Sequence, residues 1–270
     1  MPEGHSIRIA ADRQRKLLAG KRTHASSPQG RFDGARTLDG RTLHDVEGVG
    51  KHLFYHFAKP AKSRNERDSI LHIHLGRLGR FTYHEGVPPS PSAGCRLRLR
   101  AGRTTIDLSG PTACDLISPE QREAILARLG PDPLYDNADP TPAWEKIHRS
   151  SRPIGALLLD QSIIAGLGNI FRAEVLFRLK LHPAIPGDEL TPKQFHAIWK
   201  DSVQVMRQGV ELEWIVTVRS RDVGKTLSEV TNDEHFYVYK RKRCRICDVA
   251  IDKEVMGGRP IYFCPHCQKR

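Results

Sequence analysis

Four cysteines near the C-terminal end constrain this 270-residue chain more than any other feature: Cys244, Cys247, Cys264 and Cys267 stand as C-x2-C-x16-C-x2-C. Each CxxC brings two thiolates to one ion through a tight turn, and two such turns complete the tetrahedral site that zinc prefers. The chain begins MPEGHSIRIAADRQRK, with charges where a secretory signal would be apolar, so the doubled pair argues for metal rather than disulfides or a redox motif. Four sulfur ligands leave no open position, and one structural Zn2+ is therefore expected. The intervening residues, with Met256-Gly257-Gly258 among them, suit two strands joined by a turn. Cys95 and Cys114 lie in a β-rich stretch and are expected to be ordinary buried cysteines.

A short metal-stapled hairpin cannot fold by apolar burial alone, and its usual job is to present side chains. Here it follows Lys240, Arg241, Lys242, Arg243 and Arg245, five cations within six residues. The whole chain holds 43 Lys and Arg against 31 Asp and Glu, a formal net charge of +12. A phosphate backbone is the natural partner of such a surface, although ribosomal and membrane-surface proteins can be equally basic. No apolar run approaches the roughly 20 residues of a membrane span. A cytoplasmic, monomeric protein with an acidic polymer as its partner is expected.

The remaining organisation follows from periodicity. From Ser6 to Ala19 the residues Ile7, Ala10, Ala11, Leu17 and Leu18 fall on one helical face, and Gly20 supplies a stop. Between Lys21 and Leu108 the segments RTLHDV, HLFYHFA, SILHIHL, RFTYH, CRLRLR and RTTIDL read as short strands separated by turn residues, the pattern of a β-sandwich or barrel. SPEQREAILARL reads as a helix and LGPDPLYDNADPTP as irregular. Helical patterns follow in IGALLLD, NIFRAEVLFRLK and the segment after Leu190, where Thr191 is the expected N-cap, Pro192 the first helical residue, and Phe195, Ile198, Trp199 and Met206 an inward stripe.

The opening Met1-Pro2-Glu3-Gly4 has its own chemistry. A small second residue favours removal of Met1, which exposes Pro2 as a secondary amine. An α-amino group titrates near 7.7 to 8.0, so a useful fraction is neutral and nucleophilic at neutral pH. Together with GKHLFYHF, HIHLGRLG, LGPDPL, DQSIIAGLGNIFRAEVLFRLKLHP and GGRPIYFCPHCQ, in that order along essentially the whole chain, it resembles the formamidopyrimidine-DNA glycosylase and endonuclease VIII family.

The resemblance implies an α+β protein with an N-terminal β-sandwich and flanking helix, then a helical helix-two-turn-helix domain bearing a zinc β-hairpin. On this basis residues 1–118 form the catalytic sandwich, 119–140 a linker, 141–235 the helix-two-turn-helix domain and 236–270 the zinc finger. Damaged DNA is the implied partner, its lesion swung out of the duplex into the enzyme. Pro2 is the implied nucleophile, Glu3 the general acid and base, and Lys51 a stabiliser of charge near the phosphate and sugar. Asn169 and Arg259 are the implied phosphate contacts. Arg77 and Leu78 in the HLGRLG loop are candidates to fill the void left by the flipped base, with His74 a secondary DNA contact.

Two departures from the family pattern bear on specificity. His5 and Ser6 follow the opening tetrapeptide where Pro and Glu are common. The 8-oxoguanine branch carries an Arg-Arg-Phe motif that reads the opposite base, and this chain has Asp107-Leu108-Ser109-Gly110-Pro111-Thr112 instead. That substitution favours the endonuclease VIII side and oxidised pyrimidines. The competing readings are a purine-lesion glycosylase and a non-catalytic zinc protein that binds DNA.

Overall fold

The structure is a computed structural model describing residues 2–58 and 70–270. Met1, whose removal the sequence leads one to expect, and Ser69, first residue of one expected strand, lie outside the described residues. The chain divides into two compact units, one of Met1–Pro2 and Ile7–Ala127, the other of Glu3–Ser6 and Arg128–Arg270.

In the first unit α1 (Gly4–Leu18, its first three residues grouped with the second unit) leads into β1 (His24–Ser26), α2 (Gly34–Leu38), β2 (Leu43–Val49), β3 (His52–Phe57) and β4 (Ile70–His74). β5 (Arg80–Glu85), β6 (Cys95–Ala101), β7 (Thr104–Ser109), β8 (Ala113–Ile117) and α3 (Pro119–Leu126) complete it. The strands form two four-stranded sheets, ordered β1-β6-β7-β5 and β2-β3-β4-β8. The alternation in β6 shows why. Cys95, Leu97, Leu99 and Ala101 are buried while Arg96, Arg98 and Arg100 point away, as a two-residue side-chain period requires. Leu53, Ile73, Leu97 and Ile106 share one core with Ile7, Ala11 and Leu18 of α1. Inside it, the Tyr55 hydroxyl of β3 donates to Gln14 Oε1 at 2.7 Å, and Gln14 Nε2 donates to the Tyr83 hydroxyl of β5 at 3.1 Å. One buried amide of α1 thus satisfies a phenol from each sheet.

Four elements of this unit differ from the sequence reading, the first being β1, which none of the segments read as strands contains. The helix α2 interrupts a stretch expected to be all strand, since five residues are too few to display a helical period. Strand β8 pairs with β4 and was not anticipated, its alternation being limited to buried Cys114 beside exposed Asp115. Helix α3, with Pro119 in its first turn and a Ser118/Gln121 capping box, belongs to the first unit although 119–140 was expected as a linker. It contributes no buried residue of its own; Arg122 ties it to Glu47 on β2 and lies over the Phe54 ring of β3.

The second unit contains α4 (Thr141–His148), α5 (Ile154–Leu157), α6 (Asn169–Arg178), α7 (Pro192–Glu211), α8 (Ser220–Val223) and the hairpin of β9 (Asp252–Met256) and β10 (Arg259–Phe263). α7 starts as expected: Thr191 Oγ1 accepts the Gln194 N–H at 3.2 Å, Gln194 returns the bond, and Pro192 follows the cap. Phe195, Ile198 and Met206 are buried on its inner face. The helix expected through IGALLLD is only α5, because Asp160 Oδ1 takes the Ser162 N–H at 3.1 Å and turns the chain. α6 is buried on every side. At its end the Arg178 guanidinium and Asp201 carboxylate of α7 form two bonds, of 2.7 and 2.8 Å, which join the two helices. Among the described residues no helix is long and apolar enough to cross a membrane.

Candidate active site and zinc centre

The carboxylate of Glu3 occupies the N-terminus of α6. Oε1 accepts the Ile170 N–H at 2.8 Å and Oε2 the Phe171 N–H at 3.3 Å, so Glu3 supplies the cap that the preceding Gly168 cannot. A helix N-terminus presents unsatisfied donors and positive dipole, which suits a carboxylate. The fit depends on Gly168 lacking a side chain: a Cβ there would stand 2.3 Å from Glu3 Cδ. The neighbouring Gly4 N–H donates to Gly166 O at 2.8 Å, and Ser6 Oγ donates to Glu3 O at 2.8 Å while accepting the Glu3 N–H at 3.2 Å. The MPEG and GLGN motifs therefore interlock, and Glu3 is fully buried. Pro2, half-buried, precedes it by one peptide bond.

From this end, α6 organises the zinc hairpin. Asn169 is buried, its Nδ2 donating to Pro260 O at 2.9 Å and its Oδ1 accepting Arg172 Nη2 at 2.7 Å. The guanidinium of Arg172, wholly buried, also donates to Gly155 O at 2.6 Å, Met256 O at 3.0 Å and Arg259 O at 3.1 Å. Burial, and then the charge of Arg259, lower the Arg172 pKa to about 10, so it remains a cation. Glu174 does the complementary task. Its two oxygens accept the N–H groups of Tyr237, Val238 and Tyr239, at 2.8 to 2.9 Å, together with the Thr217 hydroxyl. Burial raises the Glu174 pKa against the pull of these bonds. Arg172 and Glu174 were not singled out from the sequence; the clue was two opposite charges inside NIFRAEVLF, an otherwise apolar run.

The other expected residues lie on the first unit. Lys51 sits in the β2–β3 turn, next to His52, and His52 pairs across the sheet with His74. His52 Nδ1 and His72 Nε2 are in hydrogen-bond contact at 2.9 Å, and the His52 and His74 rings lie 4.9 Å apart. The β4–β5 loop then carries Arg77 and Leu78, with Gly79 N–H donating to Leu75 O at 2.9 Å. Leu78 is 79 % exposed, an unusual display for leucine on a tight loop. The segment Gly110-Pro111-Thr112 braces it. Thr112 N–H donates to His74 O at 2.8 Å, and Thr112 Oγ1 fills the place of a Gly76 Cβ, which would be 1.8 Å away. Asp107, just before this segment, is held by Arg98 at 2.6 and 2.7 Å. Burial raises its pKa, but the Arg98 and His84 charges outweigh this and hold it low.

Both units contain histidines kept neutral by burial. His52 is lowered from 6.5 to about 3 and His5 from 6.5 to about 4, with His72 and His74 lowered for the same first reason. His5 is 5 % exposed, edge-on to Phe171 at 5.3 Å. In the unfolded chain these rings take protons below about pH 6.5 while the folded chain resists. Their stabilisation is therefore complete above pH 6.5 and is lost as pH falls towards 4 and 3, by roughly 3 kcal/mol at pH 4 for His5 alone. Thermal melts are expected to fall over this window. A melting temperature unchanged from pH 7 to pH 4.5 would contradict it.

The four cysteine sulfurs lie within 4.8 Å of one another, with separations of 3.9 Å for Cys244 and Cys267, 3.4 Å for Cys247 and Cys264, and 3.5 Å for Cys247 and Cys267. Zinc–sulfur bonds near 2.3 Å place the sulfurs of a tetrahedron about 3.8 Å apart, so the residues fit one zinc ion. Ile246 and Cys267 N–H groups point at the sulfurs of Cys244 and Cys264, each at 3.4 Å. The hairpin register pairs Arg259 with Met256 across Gly257-Gly258, whose φ values of 62° and 72° both require the left-handed region. Chelation, or Cys264→Ser, is expected to lower DNA affinity at least tenfold while the melting of the N-terminal β unit is unchanged. Anisotropy and circular dichroism on the same samples would check it, and unaltered affinity in metal-free protein would refute it.

Three family profiles match the chain in order. The Formamidopyrimidine-DNA glycosylase N-terminal domain matches residues 1–110, its H2TH domain 129–220, and a zinc finger found in FPG and IleRS 241–270. Endonuclease 8 1 of Mycobacterium tuberculosis is 39% identical over 275 residues, spanning 99% of this chain and 100% of that protein. The Formamidopyrimidine-DNA glycosylase of Streptococcus pneumoniae is 28% identical over 294 residues, spanning both chains fully. Lactococcus lactis Fpg (MutM), solved with DNA containing N7-Benzyl-Fapy-dG, has a TM-score of 0.79 at 24% identity over the full length of both chains. MutM solved with carbocyclic 8-oxo-G DNA gives 0.81 at 22%, again over both full lengths. These two likenesses establish the fold: an N-terminal β domain, then a helical H2TH domain and zinc finger.

Proposed function

This chain belongs to the formamidopyrimidine-DNA glycosylase and endonuclease 8 family of base excision repair, and from that premise we propose that it excises oxidised pyrimidines and then cleaves the strand, through a covalent intermediate on Pro2. The observation that carries this reading is the seating of Glu3. A carboxylate fixed by two backbone N–H groups, one peptide bond from a potential secondary-amine N-terminus, pairs a proton carrier with a nucleophile.

In this reaction the Pro2 nitrogen bonds to C1′ of the flipped nucleotide as the glycosidic bond breaks, and the base leaves with its electron pair and takes up the proton that the Pro2 nitrogen sheds. Glu3 protonates the sugar ring oxygen, and the ring opens to an iminium. Loss of a C2′ proton expels the 3′ phosphate, and a second elimination expels the 5′ phosphate. Lys51 offsets charge near phosphate and sugar oxygen. Arg259, at the hairpin tip, grips phosphate, while Asn169 acts with Arg172 to hold that tip against α6. The zinc fixes the finger and takes no part in the bond changes.

Lesion choice follows from the segment after Asp107. No arginine stands there to read an opposite cytosine, and Gly110 and Thr112 instead support the loop that displays Arg77 and Leu78. Excision is expected to be faster for thymine glycol and dihydrouracil than for 8-oxoguanine, with little dependence on the opposite base. Single-turnover rates over a lesion panel, each lesion opposite all four bases, test this. A strong preference for 8-oxoguanine opposite cytosine would move the chain to the purine-lesion reading.

A further inference from the structure

Beside the zinc finger, wholly within the C-terminal unit, lies an open cavity of about 720 Å3. That volume falls within the range of roughly 300 to 1,000 Å3 usual for ligand sites. Its lining includes the cationic run from Lys240 to Arg243 and the aromatic residues Phe236 and Tyr239. Of the two carboxylates at the cavity, Asp248 is taken up by Arg243 at 2.9 Å, and Asp233 stands on the exposed rim. The loop bearing Phe236 is pinned in place. Arg245 donates to Phe236 O at 3.0 Å and to Asp233 O at 2.7 Å, and Arg241 donates to Asp233 O at 2.8 Å.

The two lining aromatics are part of a longer chain of rings. Trp214 and His235 are 5.2 Å apart, His235 and Phe236 3.7 Å, Phe236 and Tyr239 5.5 Å, and Tyr239 and Tyr262 of β10 5.3 Å. Lys240 Nζ stands 5.7 Å over the Tyr239 ring. The cavity therefore adjoins the strand that carries Arg259. Cations beside aromatic faces are the two elements of single-strand recognition: phosphates are neutralised, and each unstacked base lies on a ring. A paired duplex offers the phosphates but keeps its base faces covered.

We propose that this cavity binds unpaired nucleotides of single-stranded DNA, with a base against Phe236 and the flanking phosphates on Lys240 to Arg243. The identity of the polymer as DNA rests on the function proposed above. The consequence is that lesions bordered by unpaired strand, in bubbles or overhangs, are held more tightly than lesions in continuous duplex.

The test uses the full-length zinc-loaded protein, labelled oligothymidylate as probe, and lesion duplexes with blunt or overhanging ends. Phe236→Ala is expected to weaken oligothymidylate binding about tenfold, in line with the loss of one stacked base, and to slow excision beside an overhang at limiting enzyme. Excision from blunt duplex should be unchanged, and Phe236→Trp should restore the single-strand affinity. If the alanine variant melts early, Phe236→Leu keeps the apolar volume, removes the aromatic face and carries the comparison. Equal losses on blunt and overhanging substrates, undiminished oligothymidylate binding, or displacement of the probe by polyglutamate as readily as by unlabelled oligothymidylate would each overturn the proposal. A wild-type protein that binds oligothymidylate through Phe236 yet releases no base from any lesion would count against the glycosylase reading and leave this site standing.

Discussion

Protein that retains Met1, or carries any tag ahead of Pro2, is expected to yield no borohydride-trapped adduct with lesion-bearing DNA, whereas protein starting at Pro2 traps readily. The cause lies in one nitrogen. As an internal residue Pro2 contributes a tertiary amide nitrogen whose lone pair is delocalised into the carbonyl, and it cannot form a bond to C1′. Freed, it is a secondary amine titrating near neutrality, as an α-amino group does at about 7.7 to 8.0. The expected loss is complete for trapping and for strand cleavage, while equilibrium binding of undamaged duplex is retained, because the phosphate contacts proposed for Lys51 and Arg259 do not involve this atom. Pro2→Gly, with a primary amine and a freer backbone, should lose most of the rate. Mass spectrometry of the intact protein beside the trapping gel decides the matter, and full activity from a blocked N-terminus would remove Pro2 as nucleophile.

Gly168→Ala should be nearly as damaging, although it adds one methyl group and removes no reactive atom. The new Cβ would stand 2.3 Å from Glu3 Cδ and 2.5 Å from Oε1, so either Glu3 leaves the helix terminus or α6 shifts. The backbone at Gly168, with φ of −126°, is open to any residue, and the penalty comes from the contact alone. General acid and base groups contribute about 10² to 10⁴ in rate, and a fall of at least 10² in base release is expected. Glu3→Gln, which keeps the shape, should block base release with DNA binding intact. If Gly168→Ala excises at the wild-type rate, Glu3 does not act from this position.

How much of this was legible beforehand depends on the range of the interaction involved. The zinc ligands, the Thr191 cap and the alternation of Cys95 to Ala101 rest on contacts within a few residues, or on a spacing that only metal chemistry explains. They could be read along the chain. Helix α2 is too short for a period, and α6, buried on all sides, has no amphipathic stripe to reveal which of its residues matter. The resemblance supplied Pro2, Glu3, Lys51 and Arg259 as candidates, yet it gave no reason for Gly168 and passed over Arg172 and Glu174.

By itself, then, the amino-acid sequence determined a four-thiolate zinc finger, a β-rich first half and a helical second half, because each is written in local pattern. Only the tertiary structure decided where the charges go. Glu3 meets the Ile170 N–H across 167 residues, and Arg172 reaches Arg259 O across 87. Burial makes an unpaired charge costly, so these groups are stable only where the fold has gathered enough backbone donors or acceptors around them, and that gathering is a property of the closed core.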